Sequence, residues 1–361
     1  MTSDINALTR EEEIGALQEG SHNIKRLVGF GAEEGELRET LGKIKELRDW
    51  CAEFTKLAEK YEKLAEPAKV EYARIFNYMK AAVYYHIGEL FIFGPTAEKE
   101  KAHSAMVEAY AKAKRHFAYP TDEVKVPFSN TNLNGYFRRL RGIEKAPCVI
   151  LVRGVDACKE VELHILSNSL LEQGIFTLAV DLPGQGDTRF RGMKMTPDFE
   201  RPVGAAVDYL LGRSDVDASR IGIWGMSFGG FIAPRAAALE KRIKACVSLS
   251  GFFGLDEFEF PLSAKLHCLK NMKVADESGW AQVRKEYTLK NVIHNFPCPL
   301  LVVTGSEEKV VPVAQSAKIF DEAPEPKDMK IYEGFGHCVY YEEPAVLPYI
   351  ANWMRERLTT N

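Results

Sequence analysis

Between residues 36 and 117, apolar side chains recur every three or four positions among charged ones. That spacing places them on one face of an α-helix. Pro67 interrupts the first helical stretch, Gly94-Pro95 end the second, and Thr96 can cap a third with its hydroxyl. The pattern predicts an all-α N-terminal module of three long helices. The first helix contains the apolar positions Leu41, Ile44, Leu47, Trp50, Cys51, Phe54 and Leu57.

The pattern changes after Tyr119-Pro120, where short apolar runs alternate with amphipathic stretches. The short runs predict strands, and the stretches between the later runs predict helices. The predicted strands are Val124–Phe128, Gly135–Leu140, Cys148–Val152, Phe176–Asp181, Ile221–Trp224, Ala245–Ser250, Leu300–Thr304 and Met329–Tyr332. The predicted helices are Glu160–Glu172, Pro202–Leu211, Gly229–Leu239, Val313–Glu322 and Pro344–Leu358.

This alternation of strands and helices predicts an α/β fold with a mostly parallel, doubly wound sheet. The short polar link 129–132 joins the first two strands as a hairpin turn would, so we expect the sheet to begin antiparallel. We expect two domains, a helical one over residues 1–120 and an α/β one over residues 121–361. The stretch 254–292 is less regular and is interpreted as a lid or an insertion.

The bulk composition excludes several classes of protein. The chain has 361 residues, of which 46% are hydrophobic and 27% charged, and its net charge is −4. Such a chain can build a sizeable core but carries no basic field for nucleic acid or an anionic membrane. Its apolar runs reach about eight residues, whereas a membrane span needs roughly 20. Residues 1–20 are polar and acidic and lack the features of a secretory signal, so we expect a cytoplasmic protein.

The seven cysteines are scattered along the chain, odd in number and never spaced as C-x-x-C. That distribution is typical of buried thiols in a reducing compartment. We therefore expect neither a disulfide framework nor a metal site.

The strongest local signal is the G-x-S-x-G motif at residues 225–229, centred on Ser227. It follows a predicted strand and precedes a predicted helix, which is the context of a nucleophile elbow. A serine on so sharp a turn has strained dihedral angles, and its neighbours two positions away must lack bulk for the turn to close. The motif predicts Ser227 as a catalytic nucleophile.

A serine hydroxyl needs an adjacent base before it can act as a nucleophile. His337 follows the last predicted strand, on a glycine-bearing loop that can return over the sheet edge. The other seven histidines lie in predicted helices, near the polar N-terminus or in the irregular stretch. We predict His337 as the general base.

The acid that orients the imidazole is expected after the penultimate strand. The turn 305–312 there carries Glu308 at the position of the acid. The chain order Ser227, Glu308, His337 is the order in which one α/β superfold arranges its catalytic triad. Two alternatives stay open: Glu307 in the same turn, and Asp256 after the sixth predicted strand.

Attack on a carbonyl group builds negative charge on its oxygen, which backbone N–H groups stabilise. One expected donor is the N–H of Phe228, directly after the nucleophile. The other is the N–H of Val155, in the loop after the third predicted strand. Asp156 adjoins this oxyanion hole and has two interpretations. Either it binds a polar substrate group or transfers a proton, or it caps the following helix.

Four glycine-bearing segments together resemble the α/β-hydrolase superfamily: residues 181–186, 225–230, 305–312 and 336–337. The helical module with Tyr84-Tyr85-His86, followed by the run 154–160, narrows this likeness to the 2,6-dihydroxypseudooxynicotine hydrolase group. Relatives of that group include fermentation-respiration-switch-like esterases and fungal hydrolases that shorten pigment polyketides. The resemblance implies a cofactor-free homodimer with a cap-like helical domain. It also implies that Asp156, where the nicotine-pathway enzyme has glutamate, takes part in cleaving a carbon–carbon bond next to a carbonyl.

Three functions follow from these residues, each with a small molecule as ligand. The resemblance favours a hydrolase that cleaves a carbon–carbon bond in a β-diketone or acyl-aromatic compound. The triad and oxyanion hole equally suit a carboxylesterase or lactonase, and the third alternative is a binding protein on an inactive hydrolase scaffold. Substrate contacts are expected from Tyr84 and His86 in the helical module, and from Phe252 and Phe253 after the sixth strand.

Overall fold

The structure is a computed structural model and describes residues 8–359. Over this range the chain forms two compact units. The helical unit takes in the chain through Ala118 and the segment Pro261–Glu277, and the α/β unit takes in Tyr119–Phe260 and the chain from Ser278 onward. The sequence alone divides the chain at residue 120, whereas the structure assigns part of the irregular stretch to the helical unit.

The helical unit is built around a central helix that is buried over most of its length. Elements are numbered in chain order, and the helices of this unit are α1 (Arg10–His22), α2 (Ile24–Gly29), α3 (Glu34–Leu41), α4 (Leu47–Ala65), α5 (Glu71–Leu90), α6 (Ala97–Lys114) and α11 (Leu262–Met272). Helices α4 and α6 both pack against α5. The indole N–H of Trp50 on α4 donates to the carbonyl oxygen of Ile87 at 2.8 Å. Lys99 on α6 donates to the carbonyl oxygens of Glu89 and Ile92 at 2.7 Å each, which satisfies groups that the end of α5 leaves unpaired.

The three long helices predicted for this module are confirmed as α4, α5 and α6. Thr96 caps α6 as expected, because its hydroxyl accepts the Lys99 N–H at 3.2 Å. The predicted first helix is divided, since α3 ends at Leu41 and α4 begins at Leu47. Helices α1 and α2 were not predicted, whereas α3 coincides with the start of the predicted first helix. Only Ala16 and Gly20 of α1 are buried, and so narrow a face leaves little periodic signal.

The segment Pro261–Glu277 is tied to the helical unit by polar and aromatic contacts. The Ser263 N–H donates to the carboxylate of Glu19 at 3.1 Å. Nε2 of His267 donates to the carbonyl oxygen of Leu90 at 2.7 Å, and its ring centroid lies 4.8 Å from that of Phe93. These contacts explain why a segment distant in the chain belongs to this unit.

The α/β unit contains one eight-stranded sheet. Its strands are β1 (Thr121–Phe128), β2 (Thr131–Arg138), β3 (Ala146–Val152), β4 (Phe176–Val180), β5 (Val216–Met226), β6 (Ile243–Leu249), β7 (Leu300–Gly305) and β8 (Lys327–Tyr332). The spatial order is β1-β2-β4-β3-β5-β6-β7-β8. Strands β1 and β2 form an antiparallel hairpin, β2 also runs antiparallel to β4, and all later pairs are parallel. The predicted sheet, with its antiparallel start, is confirmed.

Helices flank this sheet. They are α7 (Glu162–Leu171), α8 (Gly186–Phe190), α9 (Glu200–Leu211), α10 (Phe228–Leu239), α12 (Glu277–Val283), α13 (Val313–Glu322) and α14 (Val346–Thr359). Strands β3, β4 and β7 are buried at every position, as expected of parallel strands covered by helices. The carboxyl ends of parallel strands meet at one edge of a sheet, where α/β proteins place their functional residues.

Two predictions from composition can be compared with the described residues. All seven cysteines are buried and unbonded to one another, as expected. Along residues 8–359, no helix combines the length and the apolar character that crossing a bilayer requires.

Four buried charged side chains lie beyond the carboxyl ends of β3 and β4. Asp181 lies directly after β4, with its two carboxylate oxygens 2.6 Å from Nζ of Lys159 and 3.7 Å from Nε of Arg153. Lys159 also lies 2.7 Å from the carboxylate of Glu160. All four side chains are at most 5% exposed. Burial by itself lowers the pKa of Lys159, but the two carboxylates outweigh burial and raise that pKa, so the ammonium stays charged.

We predict that Asp181→Asn lowers the free energy of unfolding by about 3–5 kcal/mol, because the buried Arg153 loses its carboxylate partner. The matched control is Asp122→Asn on β1. Asp122 pairs with Arg139 at 3.3 Å while 46% of its side chain stays exposed, and its loss should cost below about 1 kcal/mol. Urea unfolding followed by circular dichroism measures both variants. Equal losses would contradict a special role for the buried charges.

Candidate active site

Ser227 occupies the turn between β5 and α10, at the carboxyl end of its strand. Its φ of 56° and ψ of −120° lie outside the regions that non-glycine residues usually adopt. A Cβ on Gly225 would lie 1.8 Å from the carbonyl oxygen of Gly229, and a Cβ on Gly229 would lie 2.3 Å from that of Val152. Neither glycine can therefore carry a side chain, and the turn has the geometry expected of a nucleophile elbow.

A continuous hydrogen-bonded chain joins three of the predicted site residues. Nε2 of His337 lies 2.9 Å from Oγ of Ser227, and Nδ1 lies 2.8 Å from the carboxylate of Glu308. The second oxygen of that carboxylate accepts the N–H groups of Val310 and Val311 at 2.8 and 3.2 Å. Glu308 is thus held from both sides, with one oxygen on its own turn and the other on the imidazole. This is the order of groups that activates a serine hydroxyl.

The structure separates Glu308 from the two alternative acids. The Glu308 side chain is fully buried against His337. Glu307 and Asp256 are exposed, and neither forms an ion pair with the imidazole. The extra methylene of glutamate does not displace the carboxylate from the ring, because the backbone of the turn itself holds the side chain.

Burial and charge act in opposite directions on this pair. Burial raises the pKa of Glu308, but the imidazole and the N–H groups of Val310 and Val311 outweigh burial and lower that pKa below its ordinary value. Burial lowers the pKa of His337, but the adjoining Cys338 and the Glu308 carboxylate outweigh burial and raise that pKa above its ordinary value. The Glu308 carboxylate therefore stabilises the imidazolium that forms when a serine transfers its proton to the ring.

The loop after β3 approaches the nucleophile closely. A Cβ on Gly154 would lie 3.2 Å from Cβ of Ser227 and 3.5 Å from its Oγ. Val155 follows Gly154 in this loop, and Phe228 follows Ser227 as the first residue of α10. The N–H groups of Val155 and Phe228 are the expected oxyanion donors. An N–H at the first helical position has no partner within its helix, which suits an anion. Donation by both residues stays a prediction.

Asp156 follows Val155 and is half-buried. The nearest helix in the chain is α7, which begins only at Glu162, and its first-turn carboxylate accepts the Cys158 N–H at 2.9 Å. Six positions separate Asp156 from that helix, so the interpretation as a helix cap loses support. A role in binding or proton transfer stays a prediction.

Phe252 and Phe253 lie in the chain directly beyond the end of β6 and are fully buried. The Phe252 ring stacks on Phe231 with centroids 4.7 Å apart and meets Phe228 edge-on at 5.2 Å. The Phe253 N–H donates to the side-chain oxygen of Gln315 at 3.0 Å. Phe252 therefore packs against α10, Phe253 is hydrogen-bonded to α13, and contact of either residue with a substrate stays a prediction.

Tyr84 and His86 are fully buried on α5 within the helical unit. The Tyr84 hydroxyl donates to Glu36 at 2.5 Å and accepts the Glu33 N–H at 3.0 Å. Nδ1 of His86 lies 3.3 Å from the carboxylate of Glu89. The hydroxyl of Tyr84 thus has partners inside its own unit, and substrate binding by either residue stays a prediction.

Two further residues shape the loop that carries His337, and sequence reasoning missed one of them, Ser250. Gly305, at the end of β7, has no room for a side chain, because a Cβ there would lie 2.0 Å from the carbonyl oxygen of Phe335. Ser250, directly after β6, accepts the Cys338 N–H through its hydroxyl at 2.9 Å. Gly305 is the first residue of the turn 305–312, which the sequence indicates. Ser250 is a lone serine at a strand end and carries no comparable signal.

Family comparisons agree with this geometry. The family model described as esterase FrsA-like matches residues 33–255, and that of the prolyl oligopeptidase family matches residues 169–360. The first match spans both the helices and the nucleophile turn. The second takes in all three members of the hydrogen-bonded chain.

Two characterised relatives illustrate the likeness. The 2,6-dihydropseudooxynicotine hydrolase of Paenarthrobacter nicotinovorans is 28% identical over 267 residues, which are 72% of this chain and 71% of the relative. Hydrolase ORFZ of Pyricularia oryzae is 32% identical over 278 residues, which are 69% of this chain but only 63% of the relative. This chain therefore matches less than two thirds of the fungal protein's length.

A solved structure extends the likeness to nearly the whole chain. The crystal structure of the 2,6-dihydroxy-pseudo-oxynicotine hydrolase has a TM-score of 0.82 and 25% identity, and the match covers 93% of this chain and 95% of the other. The prediction of an α/β-hydrolase fold with a helical N-terminal region is thereby confirmed. The protein is an α/β-hydrolase enzyme, and the chain belongs to the FrsA-like esterase family and, over its C-terminal half, to the prolyl oligopeptidase family.

Proposed function

We propose that this hydrolase uses Ser227 as a nucleophile to cleave a carbon–carbon bond next to a carbonyl group, in a β-diketone or an acyl-aromatic compound. The observation that carries the proposal is the hydrogen-bonded chain from Ser227 through His337 to Glu308. The hydrolases among the relatives support hydrolysis as the reaction class. The sequence resemblance that assigns the Asp156 position a part in carbon–carbon cleavage supports the choice of bond.

In the first half of the reaction, Oγ of Ser227 bonds to the substrate carbonyl carbon while Nε2 of His337 takes the hydroxyl proton. Glu308 stabilises the resulting imidazolium. The N–H groups of Phe228 and Val155 stabilise the negative charge on the carbonyl oxygen, each by about 3 kcal/mol as judged from oxyanion holes elsewhere.

Collapse of the tetrahedral intermediate breaks the carbon–carbon bond. The bonding electrons leave with the second fragment, whose own carbonyl accepts them as an enolate in a β-diketone. That fragment takes the imidazolium proton, either directly or through a protonated Asp156 that gives its proton to the fragment and takes the one from the imidazolium, so His337 returns to its neutral form. Water then attacks the acyl group on Ser227, with His337 again as the base, and the products are a carboxylate and a ketone.

A carboxylesterase or lactonase is the second candidate function. It is favoured by the family description, which names esterases. The same acyl-enzyme forms in that reaction, but the leaving group is an alcohol that needs no stabilisation of carbon-centred charge. The two functions therefore differ in how much they depend on Asp156.

A cytoplasmic location and a homodimeric assembly also stay predictions of the sequence.

We predict that a fluorophosphonate probe labels the wild-type protein at Ser227 and fails to label Ser227→Ala, because only an activated serine hydroxyl attacks the phosphorus. Peptide mapping by mass spectrometry identifies the labelled residue. Ser129→Ala is the matched control, since Ser129 also has a positive φ, 52°, but lies in the β1–β2 turn. Labelling that survives in Ser227→Ala would overturn the nucleophile assignment.

We predict that Glu308→Gln lowers kcat/KM by about 10³- to 10⁴-fold, because the imidazolium loses its carboxylate. The pH profile should shift as well. The neutral imidazole is the active base, so kcat/KM rises with pH through the pKa of His337, which Glu308 helps to raise. Removing the carboxylate lowers that pKa and moves the rising limb to lower pH.

The control for this experiment is Glu307→Gln, which changes the exposed neighbour in the same turn. Hydrolysis of a p-nitrophenyl ester between pH 5 and pH 9 measures the rising limb of kcat/KM in the wild type and in both variants. A rising limb that stays in place in Glu308→Gln, or that moves equally in Glu307→Gln, would speak against Glu308 as the partner of the base.

We predict that Asp156→Asn abolishes cleavage of a β-diketone such as benzoylacetone while leaving much of the hydrolysis of a p-nitrophenyl ester intact. Only the carbon leaving group requires the carboxyl group for its protonation. Asp256→Asn, at an exposed position, is the control. Equal residual rates on the two substrates would reject a special role for Asp156 and favour the esterase alternative.

A further inference from the structure

Strained backbone conformations concentrate around the candidate active site. Among the described residues outside glycine, positive φ angles occur at Ser129, Ser227, Ser250, Lys273, Cys338 and Val339. Two of these six lie in ordinary places, since Ser129 is in a hairpin turn and Lys273 ends α11. The other four are the nucleophile, the residue after β6, and the two residues directly after the general base.

The loop of the general base needs support because of this conformation. Cys338 has a φ of 58° and Val339 a φ of 38°. A β-branched residue at positive φ is a genuine outlier, which persists only where the surroundings hold it. His337 directly precedes this pair, so relaxation of the strained backbone would move the imidazole.

Ser250 provides a bond at that point. Its hydroxyl accepts the Cys338 N–H at 2.9 Å, and its own N–H donates to the carbonyl oxygen of Val303 on β7 at 2.7 Å. The residue is fully buried. The loop that carries His337 is therefore attached directly, through Ser250, to the interior of the sheet.

The residue before Ser250 holds the other catalytic element. The carbonyl oxygen of Leu249 accepts the Ser227 N–H at 2.8 Å. Two consecutive residues at the end of β6 thus bind the backbone of the nucleophile and the backbone next to the base. Leu249 and Ser250 are joined by one peptide bond. That bond therefore links the backbone of Ser227 to the loop of His337, and Oγ of Ser227 lies 2.9 Å from Nε2 of His337.

We propose that Ser250 is a positioning residue for the general base: its hydroxyl, through the Cys338 N–H, sets the distance between His337 and Ser227. The inference rests on the proposed function, since it presupposes that His337 is the base for Ser227. It assigns Ser250 no contact with a substrate. Misplacement of a catalytic group by about 1 Å can cost on the order of 100-fold in rate. Loss of the hydroxyl should therefore affect the chemical step and leave substrate binding unchanged.

The test compares Ser250→Ala with Ser316→Ala. Ser316 is also buried in the α/β unit, and its hydroxyl donates to the carbonyl oxygen of Gly251 at 2.9 Å, so its removal deletes an equivalent bond without touching the base loop. We expect Ser250→Ala to lower kcat on p-nitrophenyl butyrate by about 10- to 100-fold with KM unchanged. Fluorophosphonate labelling of Ser227 should slow by the same factor. Ser316→Ala should keep the wild-type kcat, KM and labelling rate.

Circular dichroism establishes that each variant is folded. If Ser250→Ala does not fold, Ser250→Gly carries the test, because glycine tolerates the positive φ and still lacks the hydroxyl. Loss of kcat at constant KM in the folded variant supports the positioning role. A wild-type kcat, or an equal loss in Ser316→Ala, overturns it.

Ser227→Ala, measured in parallel, separates this inference from the proposed function. If Ser227→Ala is inactive while Ser250→Ala behaves as wild type, the nucleophile stands and only the positioning role fails. If Ser227→Ala keeps its activity, both the triad and the role of Ser250 are overturned.

Discussion

The chain between β5 and α10 turns so tightly that backbone atoms occupy the space where side chains would stand. Gly225 faces the carbonyl oxygen of Gly229, and Gly230 faces Cα of Gly251, with a Cβ at either position falling within 2.6 Å of those atoms. This contact packs the start of α10 directly against the ends of the neighbouring strands. It also holds Ser227 in a backbone conformation that an isolated serine would leave. The reach of its hydroxyl toward His337 depends on that constraint.

Two sets of buried charge lie beyond the ends of the strands, and they differ in what they can do. Asp181 lies among the basic side chains of Lys159 and Arg153, and the carboxylates beside Lys159 raise the pKa of that ammonium, so its charge is a permanent part of the interior. Glu308 lies against His337, whose imidazole accepts and returns a proton in the proposed reaction. Burial disfavours the charged form of the Asp181 and Glu308 carboxyl groups. In each case, hydrogen-bonded or ionic partners offset the cost of burying that charge. The Asp181 group follows β3 and β4, and the pair of Glu308 and His337 lies against Ser227.

The architecture of the α/β unit could be predicted nearly completely. All eight strands were identified. Strands β3, β4 and β7 are fully buried and form short apolar runs that helices separate from the next strand, whereas the short polar link 129–132 marks β1 and β2 as a hairpin. The helical unit was predicted less well. Helices α1 to α3 are short or narrowly buried, and the membership of Pro261–Glu277 depends on contacts with residues such as Glu19 and Leu90 that are far away in the chain. Periodicity is a local signal and carries no information about such contacts.

At the site, local sequence predicted Ser227 as the nucleophile and His337 as the base, because each prediction depends on a pattern of glycines beside a strand end, which can be read within ten residues. It also limited the acid to Glu308, Glu307 and Asp256. Only the tertiary structure decided among the three, since the choice depends on which carboxylate the backbone N–H groups of Val310 and Val311 direct at the ring. The bond from Ser250 to the base loop was likewise invisible in the sequence. It joins residues 88 positions apart, and a hydrogen bond between distant segments exists only once the sheet has brought the ends of β6 and β8 to the same edge.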